Sequence, residues 1–163
     1  MKKFPIHRYA VSYERKYLIY SIPILSHRDG KFNSAVGKLR KLEQLFIANG
    51  ALTELPDEMA NLVSCTDLEL YNCPLMKKFP MVLAKMPELV TLQVANNRQW
   101  EADDLLEGLK ALATGPSAEK LQLLYFNQNS LEVIPKEIKN MKKLGLLDFA
   151  SNKIHTIEEA WGT

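Results

Sequence analysis

From residue 42 onward the chain repeats one arrangement of apolar positions. In the stretch LEQLFIANGALTELP, Leu42, Leu45 and Ile47 take the first, fourth and sixth places, and Leu52 and Leu55 follow after Asn49-Gly50. A helix would space its apolar residues three and four apart and a half-buried strand two apart. This pattern is neither alone, and reads as a short strand, a sharp turn and a second apolar contact. The same shape returns at 121–135, LQLLYFNQNSLEVIP, and at 144–157, LGLLDFASNKIHTI. Recurrence with fixed internal spacing identifies a repeat architecture, in which each unit must lean on its neighbours to bury its apolar face.

Numbering each unit from its first apolar residue yields six copies that start at 19, 42, 65, 89, 121 and 144, with steps of 23, 23, 24, 32 and 23 residues. The first is degenerate, with Ile19, Ile22 and Ile24 at places one, four and six, Phe32 at fourteen, and His27 and Asp29 where Asn and Leu are expected. The others are Leu42, Leu45, Ile47, Gly50, Leu52 and Leu55; Cys65, Leu68, Leu70, Cys73 and Leu75, with Phe79-Pro80 one residue late; Leu89, Leu92, Val94 and Asn97; Leu121, Leu124, Phe126, Asn129, Leu131 and Ile134; and Leu144, Leu147, Phe149, Asn152, Ile154 and Ile157. The chain thus divides into an N-terminal capping extension, 1–18, and a repeat domain, 19–163.

These copies resemble the leucine-rich repeat, L-x-x-L-x-L-x-x-N/C-x-L. The turns at Leu55-Pro56, Phe79-Pro80 and Ile134-Pro135 are similar to those of its short, 23-residue type, and 29–42, DGKFNSAVGKLRKL, is similar to repeats of bacterial surface proteins and plant receptors. The resemblance implies an α/β fold: a right-handed curved solenoid with a parallel sheet on its concave face and short helices or turns on its convex face. It implies recognition of a protein or peptide, and a cell-surface or secreted setting.

Physical reasoning reaches the same layered fold. Places one, four and six point inward, and each fully buried Leu or Ile contributes roughly 1.5–3 kcal/mol. Asn97, Asn129 and Asn152 mark strand ends, where their amides can serve backbone groups that face inward. Gly50 in that place leaves those groups short of a partner. The long step holds an insertion, 103–113, with Leu105, Leu106, Leu109 and Leu112 on one helical face, Asp103 and Asp104 at its N-terminal end and Gly115-Pro116 as its stop. This helix belongs on the convex side, with shorter turns at 57–62, 81–86 and 136–141. Lys136, Lys139, Lys142 and Lys143 around Glu137 read as a solvated convex face.

Before the repeats, Tyr9, Val11 and Tyr13 alternate with smaller residues, as in a strand that covers the first layer. Lys2, Lys3, Arg8, Arg15 and Lys16 there oppose Glu14 alone, so a nucleic-acid contact is the competing reading of this segment. The whole chain balances 21 basic against 19 acidic residues, a net charge of +2, which argues against nucleic acid or a membrane surface as the main partner. The longest apolar run, 17–25, is broken by Ser21 and Pro23 and falls far short of the ~20 residues that span a bilayer. It is expected to be a strand. Cys65 and Cys73 stand eight residues apart on an extended segment, up to ~26 Å and so beyond the ~7 Å reach of a disulfide, and are expected to act as small hydrophobes. At the end of the chain, 161–163, either the last turn folds back as a lid or the array continues. An uncapped last repeat would invite self-association.

Nucleotide, hydrolase and C-x-x-C motifs are absent from the sequence. His7, His27 and His155 are scattered, and Asp103-Asp104 and Asp57-Glu58 have helix-start reasons to be where they are. No enzyme, cofactor or metal is therefore expected. The informative positions are the outward ones, three, five and seven: Ser21, Pro23 and Leu25; Gln44, Phe46 and Ala48; Asp67, Glu69 and Tyr71; Thr91, Gln93 and Ala95; Leu123, Tyr125 and Asn127; Leu146, Asp148 and Ala150. Exposed aromatic residues beside charges have the composition of interface anchors, although single exposed aromatics are ordinary on any surface. Phe46, Tyr71 and Tyr125 are expected to anchor a protein or peptide, with Asp67, Glu69, Gln93 and Asp148 setting polarity. The alternatives are an accessory or targeting domain of a larger enzyme or effector, and a structural spacer at a bacterial surface.

Overall fold

The computed structural model describes residues 10–11, 17–21, 32, 34–49 and 51–159. Its strands are β1 (Ala10–Val11), β2 (Tyr17–Ser21), β3 (Gln44–Ala48), β4 (Asp67–Tyr71) and β5 (Thr91–Ala95); after helix α1 (Ala102–Thr114) come β6 (Leu123–Tyr125), β7 (Val133–Ile134), β8 (Leu146–Asp148) and β9 (Thr156–Ile157). One sheet has the order β1-β2-β3-β4-β5-β6-β8, parallel throughout except for the antiparallel β1–β2 pair at its edge. A second, two-stranded sheet pairs β7 with β9 in parallel.

Strands β3 to β6 alternate because their inward residues are large and apolar. Leu45 and Ile47, Leu68 and Leu70, Leu92 and Val94, and Leu124 and Phe126 are buried, while their strand neighbours at places three and five are half exposed. Strands β3, β4, β5, β6 and β8 are each followed by a residue in the left-handed region: Asn49, Asn72, Asn96, Gln128 and Ser151, with φ between 49° and 59°. Asparagine tolerates that region better than most residues. The reversal turns the next residue inward, which places Asn97 and Asn129 in the core.

The opposite side is built from 3₁₀ turns at Ser34–Lys38, Asp57–Asn61, Met81–Lys85, Pro116–Glu119 and Lys136–Asn140. Pro56, Pro80 and Pro135 precede three of them in extended conformation, the geometry that the fixed proline φ favours. The expected turns at 57–62, 81–86 and 136–141 are therefore present. The inserted helix is also present, packed among the turns at 81–85, 116–119 and 136–140 and against β7. Its buried face is Leu105, Gly108, Leu109, Leu112 and Ala113, with Leu106 only half buried. Lys136, Lys139, Lys142 and Lys143 are exposed, in keeping with a solvated face.

An aromatic chain ties the helix to the sheet. Phe79 meets Trp100 edge-on at 5.8 Å and Phe126 at 6.0 Å, and Phe126 meets Phe149 edge-on at 6.2 Å. Trp100 is fully buried and its Nε1–H donates to the Met76 carbonyl at 2.8 Å. Cys65 and Cys73 are both buried in this core, as expected of small hydrophobes.

Two expected registers are corrected. Leu18 pairs with Leu45 and Tyr20 with Ile47, so the first strand runs Tyr17–Ser21 and its fourth place is Leu18 instead of Ile22. By this pairing Ser21 keeps an outward register place, shared with Tyr17 and Ile19, while the expectations for Pro23 and Leu25 lie outside the described residues. The isoleucines at 19, 22 and 24 mimic the required spacing by chance, while parallel pairing selects the continuous run YLIYS. In the third repeat, Leu75 is 46% exposed and Met76 takes the core place at 1%. The extra residue of that repeat lies in the turn at 74–75, where the Met76 N–H donates to the Cys73 carbonyl, and Phe79 follows Met76 in register. The expectations for His7, His27, Asp29, Gly50 and 161–163 lie outside the described residues.

Candidate binding face

The parallel register sorts the outward residues into rows that cross the strands. Place three gives Gln44, Asp67, Thr91, Leu123 and Leu146; place five gives Phe46, Glu69, Gln93, Tyr125 and Asp148; place seven gives Ala48, Tyr71 and Ala95. Neighbours in a row are ~4.8 Å apart, one interstrand spacing. All seven expected site residues are thus on one face, six of them in two adjacent rows. Phe46 stands directly opposite Glu69, not Tyr71. Tyr71 lies in the next row between Ala48 and Ala95, with no bulky residue beside it there. Leu123 and Leu146 are row neighbours, and Leu146 is 40% exposed, so the expected apolar strip is present.

The polar groups of the face differ in how far the chain already uses them. Asp67 Oδ2 accepts the Thr66 hydroxyl at 2.6 Å. Asp148 Oδ1 accepts the Ala150 N–H at 2.8 Å, and Asp148 Oδ2 accepts Asn127 Nδ2–H at 3.3 Å. Among the described residues, the Glu69 carboxylate, the Gln93 amide and the Tyr71 and Tyr125 hydroxyls have no such partner. These groups are half exposed at the centre of the face and can bond to an arriving molecule.

Along one edge of the face, Asn72 Nδ2–H donates to Asn49 Oδ1 at 2.6 Å. This exposed rim pair was not among the expected site residues. Its signal in the sequence is an asparagine just before the inward Asn, Cys or Gly place, at 49, 72 and 96.

Three of the remaining candidates for chemistry, Asp104, Asp57 and His155, have structural partners. The Asp104 carboxylate accepts the Phe79 backbone N–H, which fixes the start of α1 to the repeat before it. Asp57 pairs with Lys85 at 3.2 Å on an exposed surface, and His155 lies 3.5 Å from Glu132 and 2.9 Å from the Thr156 hydroxyl. Among the described residues no group of three His, Cys, Asp or Glu side chains converges to hold a metal, and no helix is long and apolar enough to cross a membrane.

Strand, left-handed turn, inward asparagine, proline and 3₁₀ return, repeated and stacked in parallel, define an α/β leucine-rich repeat solenoid. The chain thus has the leucine-rich repeat fold, which it shares with solved leucine-rich repeat proteins. No protein-family model matches it. Solved structures do. A leucine-rich repeat protein from Bacteroides thetaiotaomicron is 29% identical, with a TM-score of 0.68 over 85% of this chain and 20% of its own. Another from Bacteroides eggerthii is 28% identical, with a TM-score of 0.67 over 82% of this chain and 26% of its own. The leucine-rich repeat ectodomain of the plant membrane receptor kinase GASSHO1/SCHENGEN3 from Arabidopsis thaliana, solved in complex with CASPARIAN STRIP INTEGRITY FACTOR 2, is 25% identical, with a TM-score of 0.56 over 77% of this chain and 16% of its own. The chain spans about a fifth to a quarter of the length of the two bacterial proteins.

Proposed function

We propose that this chain is a non-enzymatic interaction module that holds a protein or peptide on the open face of its parallel sheet. Phe46, Tyr71 and Tyr125 anchor the partner, and Asp67, Glu69, Gln93 and Asp148 set its orientation. The observation that carries this reading is the register. It gathers an aromatic–acid–amide–aromatic–acid row, Phe46, Glu69, Gln93, Tyr125 and Asp148, across five adjacent strands. Rigid aromatic rings provide contact area at small entropic cost, and half-exposed polar groups without internal partners provide specificity. The plant receptor ectodomain, solved with its partner factor, adds an example of a similar solenoid in a complex.

The test is comparative capture from cell lysate and culture medium. One bait is the wild-type chain, and the other carries Phe46→Ala, Tyr71→Ala and Tyr125→Ala and is shown to be folded by circular dichroism. A partner retained by the first and lost by the second is the expected result. Equal capture by both, or capture by neither, contradicts the reading.

A further inference from the structure

The outward places of β3, β4, β5, β6 and β8 carry charge of one sign. Asp67, Glu69 and Asp148 are all acidic, and no Lys or Arg occupies any outward place on these strands, in a chain with 21 basic residues and a net charge of +2. Among the described basic residues, Lys136, Lys139, Lys142 and Lys143 are exposed on and beside the turn at Lys136–Asn140 on the opposite side. Two of the three acidic positions, Glu69 and Asp148, also have an aromatic neighbour. Glu69 faces Phe46 across the strand pair and is two places from Tyr71 on its own strand; Asp148 faces Tyr125.

We infer that the partner is a cationic extended peptide segment carrying two basic side chains about four residues apart. This rests on the sheet face being the binding surface. A guanidinium or ammonium over Glu69 and Asp67 finds a carboxylate to pair with and an aromatic ring to lie on, and a second over Asp148 finds the same with Tyr125. Three interstrand spacings separate β4 from β8, about 14 Å at ~4.8 Å each. An extended peptide rises ~3.3 Å per residue and turns alternate side chains to one side, so about four residues cover that span with both basic groups facing the sheet. The residue midway between them comes to rest over Gln93 and the half-exposed apolar surface of Leu123. A single-sign face of this kind also repels acidic competitors.

The experiment titrates the full chain with blocked synthetic peptides, read by calorimetry. The first is Gly-Arg-Ala-Tyr-Ala-Arg-Gly. In the second and third the arginines are replaced by glutamine and by glutamate, and in the fourth they are moved next to each other. The arginine peptide is expected to bind about tenfold or more tightly than the glutamine peptide and more tightly than the adjacent-arginine peptide, with an affinity that falls as salt rises. Glu69→Gln and Asp148→Asn are each expected to weaken it about three- to tenfold and to flatten its salt dependence. Equal binding of the glutamine peptide, no effect of Glu69→Gln, or binding of no peptide overturns the inference. If Glu69→Gln binds as wild type but the Phe46, Tyr71 and Tyr125 triple alanine variant does not, the charge inference fails and the sheet face survives. If the triple variant also binds as wild type, both fail.

Discussion

The side-chain oxygen of Asn129 accepts the backbone N–H of Asn97 at 2.9 Å, while its amide donates to the carbonyls of Val94 at 2.9 Å and Phe126 at 3.1 Å. Asn97 does the same one repeat earlier, accepting the Cys73 N–H at 2.9 Å and donating to Ala95 and Leu70 carbonyls. Asn152 accepts the Leu131 N–H and donates to Phe126 and Phe149 carbonyls. The three asparagines tie each turn to the one before it, Asn97 and Asn129 from buried positions and Asn152 from a half-buried one.

Removing the middle rung is therefore costly. Asn129→Ala leaves the Asn97 N–H and the Val94 carbonyl without that partner in the core, and each orphaned buried group costs about 1–3 kcal/mol. Urea denaturation should show a loss of roughly 2–5 kcal/mol. Asn152→Ala, at a half-exposed turn where water can replace the amide, should lose less.

Helix α1 approaches the core at a glycine. A Cβ placed on Gly108 would overlap the Phe79 ring, which is itself held against Trp100 and Phe126. Gly108→Ala should therefore destabilise by about 1–3 kcal/mol, against the usual gain from alanine in a helix. Phe79→Leu in the same chain should recover part of that loss, as measured by a double-mutant cycle.

The left-handed row is filled unevenly. Asn49, Asn72 and Asn96 suit positive φ, whereas Gln128 and Ser151 hold φ of 55° and 59° with side chains less adapted to it. Ser151→Asn, at an exposed position, should raise stability by about 0.5–1 kcal/mol, visible as a higher thermal midpoint. Asn72→Val, which places a β-branched residue at the same φ and breaks the bond to Asn49, should lower it.

Burial lifts the Cys65 thiol from 9.0 to about 12, desolvation being the chief cause and the nearby Asp67 charge a lesser one. The folded chain holds this proton more tightly than the unfolded chain does. The resulting stability is complete below pH 9 and is lost as pH rises from there toward 12, by at most ~1.4 kcal/mol per pH unit. Denaturation from pH 7 to 11 should show a steeper alkaline decline in wild type than in Cys65→Ala, which lacks the titrating group.

Strands β3, β4, β5, β6 and β8, the helix and the inward asparagines are legible in the sequence because each follows from spacing and residue type together. The seven face residues are legible for the same reason: period two in a strand fixes which side chains share a side once the inward leucines are known. What spacing cannot settle is a choice between equally apolar neighbours. Leu75 and Met76 satisfy the pattern alike, and only the turn decides which is buried. Ile19, Ile22 and Ile24 satisfy it as well as Leu18 and Tyr20 do, so the first register needed the pairing with Leu45 and Ile47. The aromatic chain from Trp100 through Phe79 and Phe126 to Phe149, and the pairing of Val133–Ile134 with Thr156–Ile157, depend on contacts between repeats that no single repeat displays.

Use of the open sheet face is tested most directly by a photo-crosslinking residue placed at Gln93, in the central row, and separately at Lys139, on the exposed turn of the opposite side. With the captured partner, or with the arginine peptide, irradiation should yield a covalent adduct from position 93 and none from position 139. An adduct from position 139 alone, or equally from both, would contradict binding on the sheet.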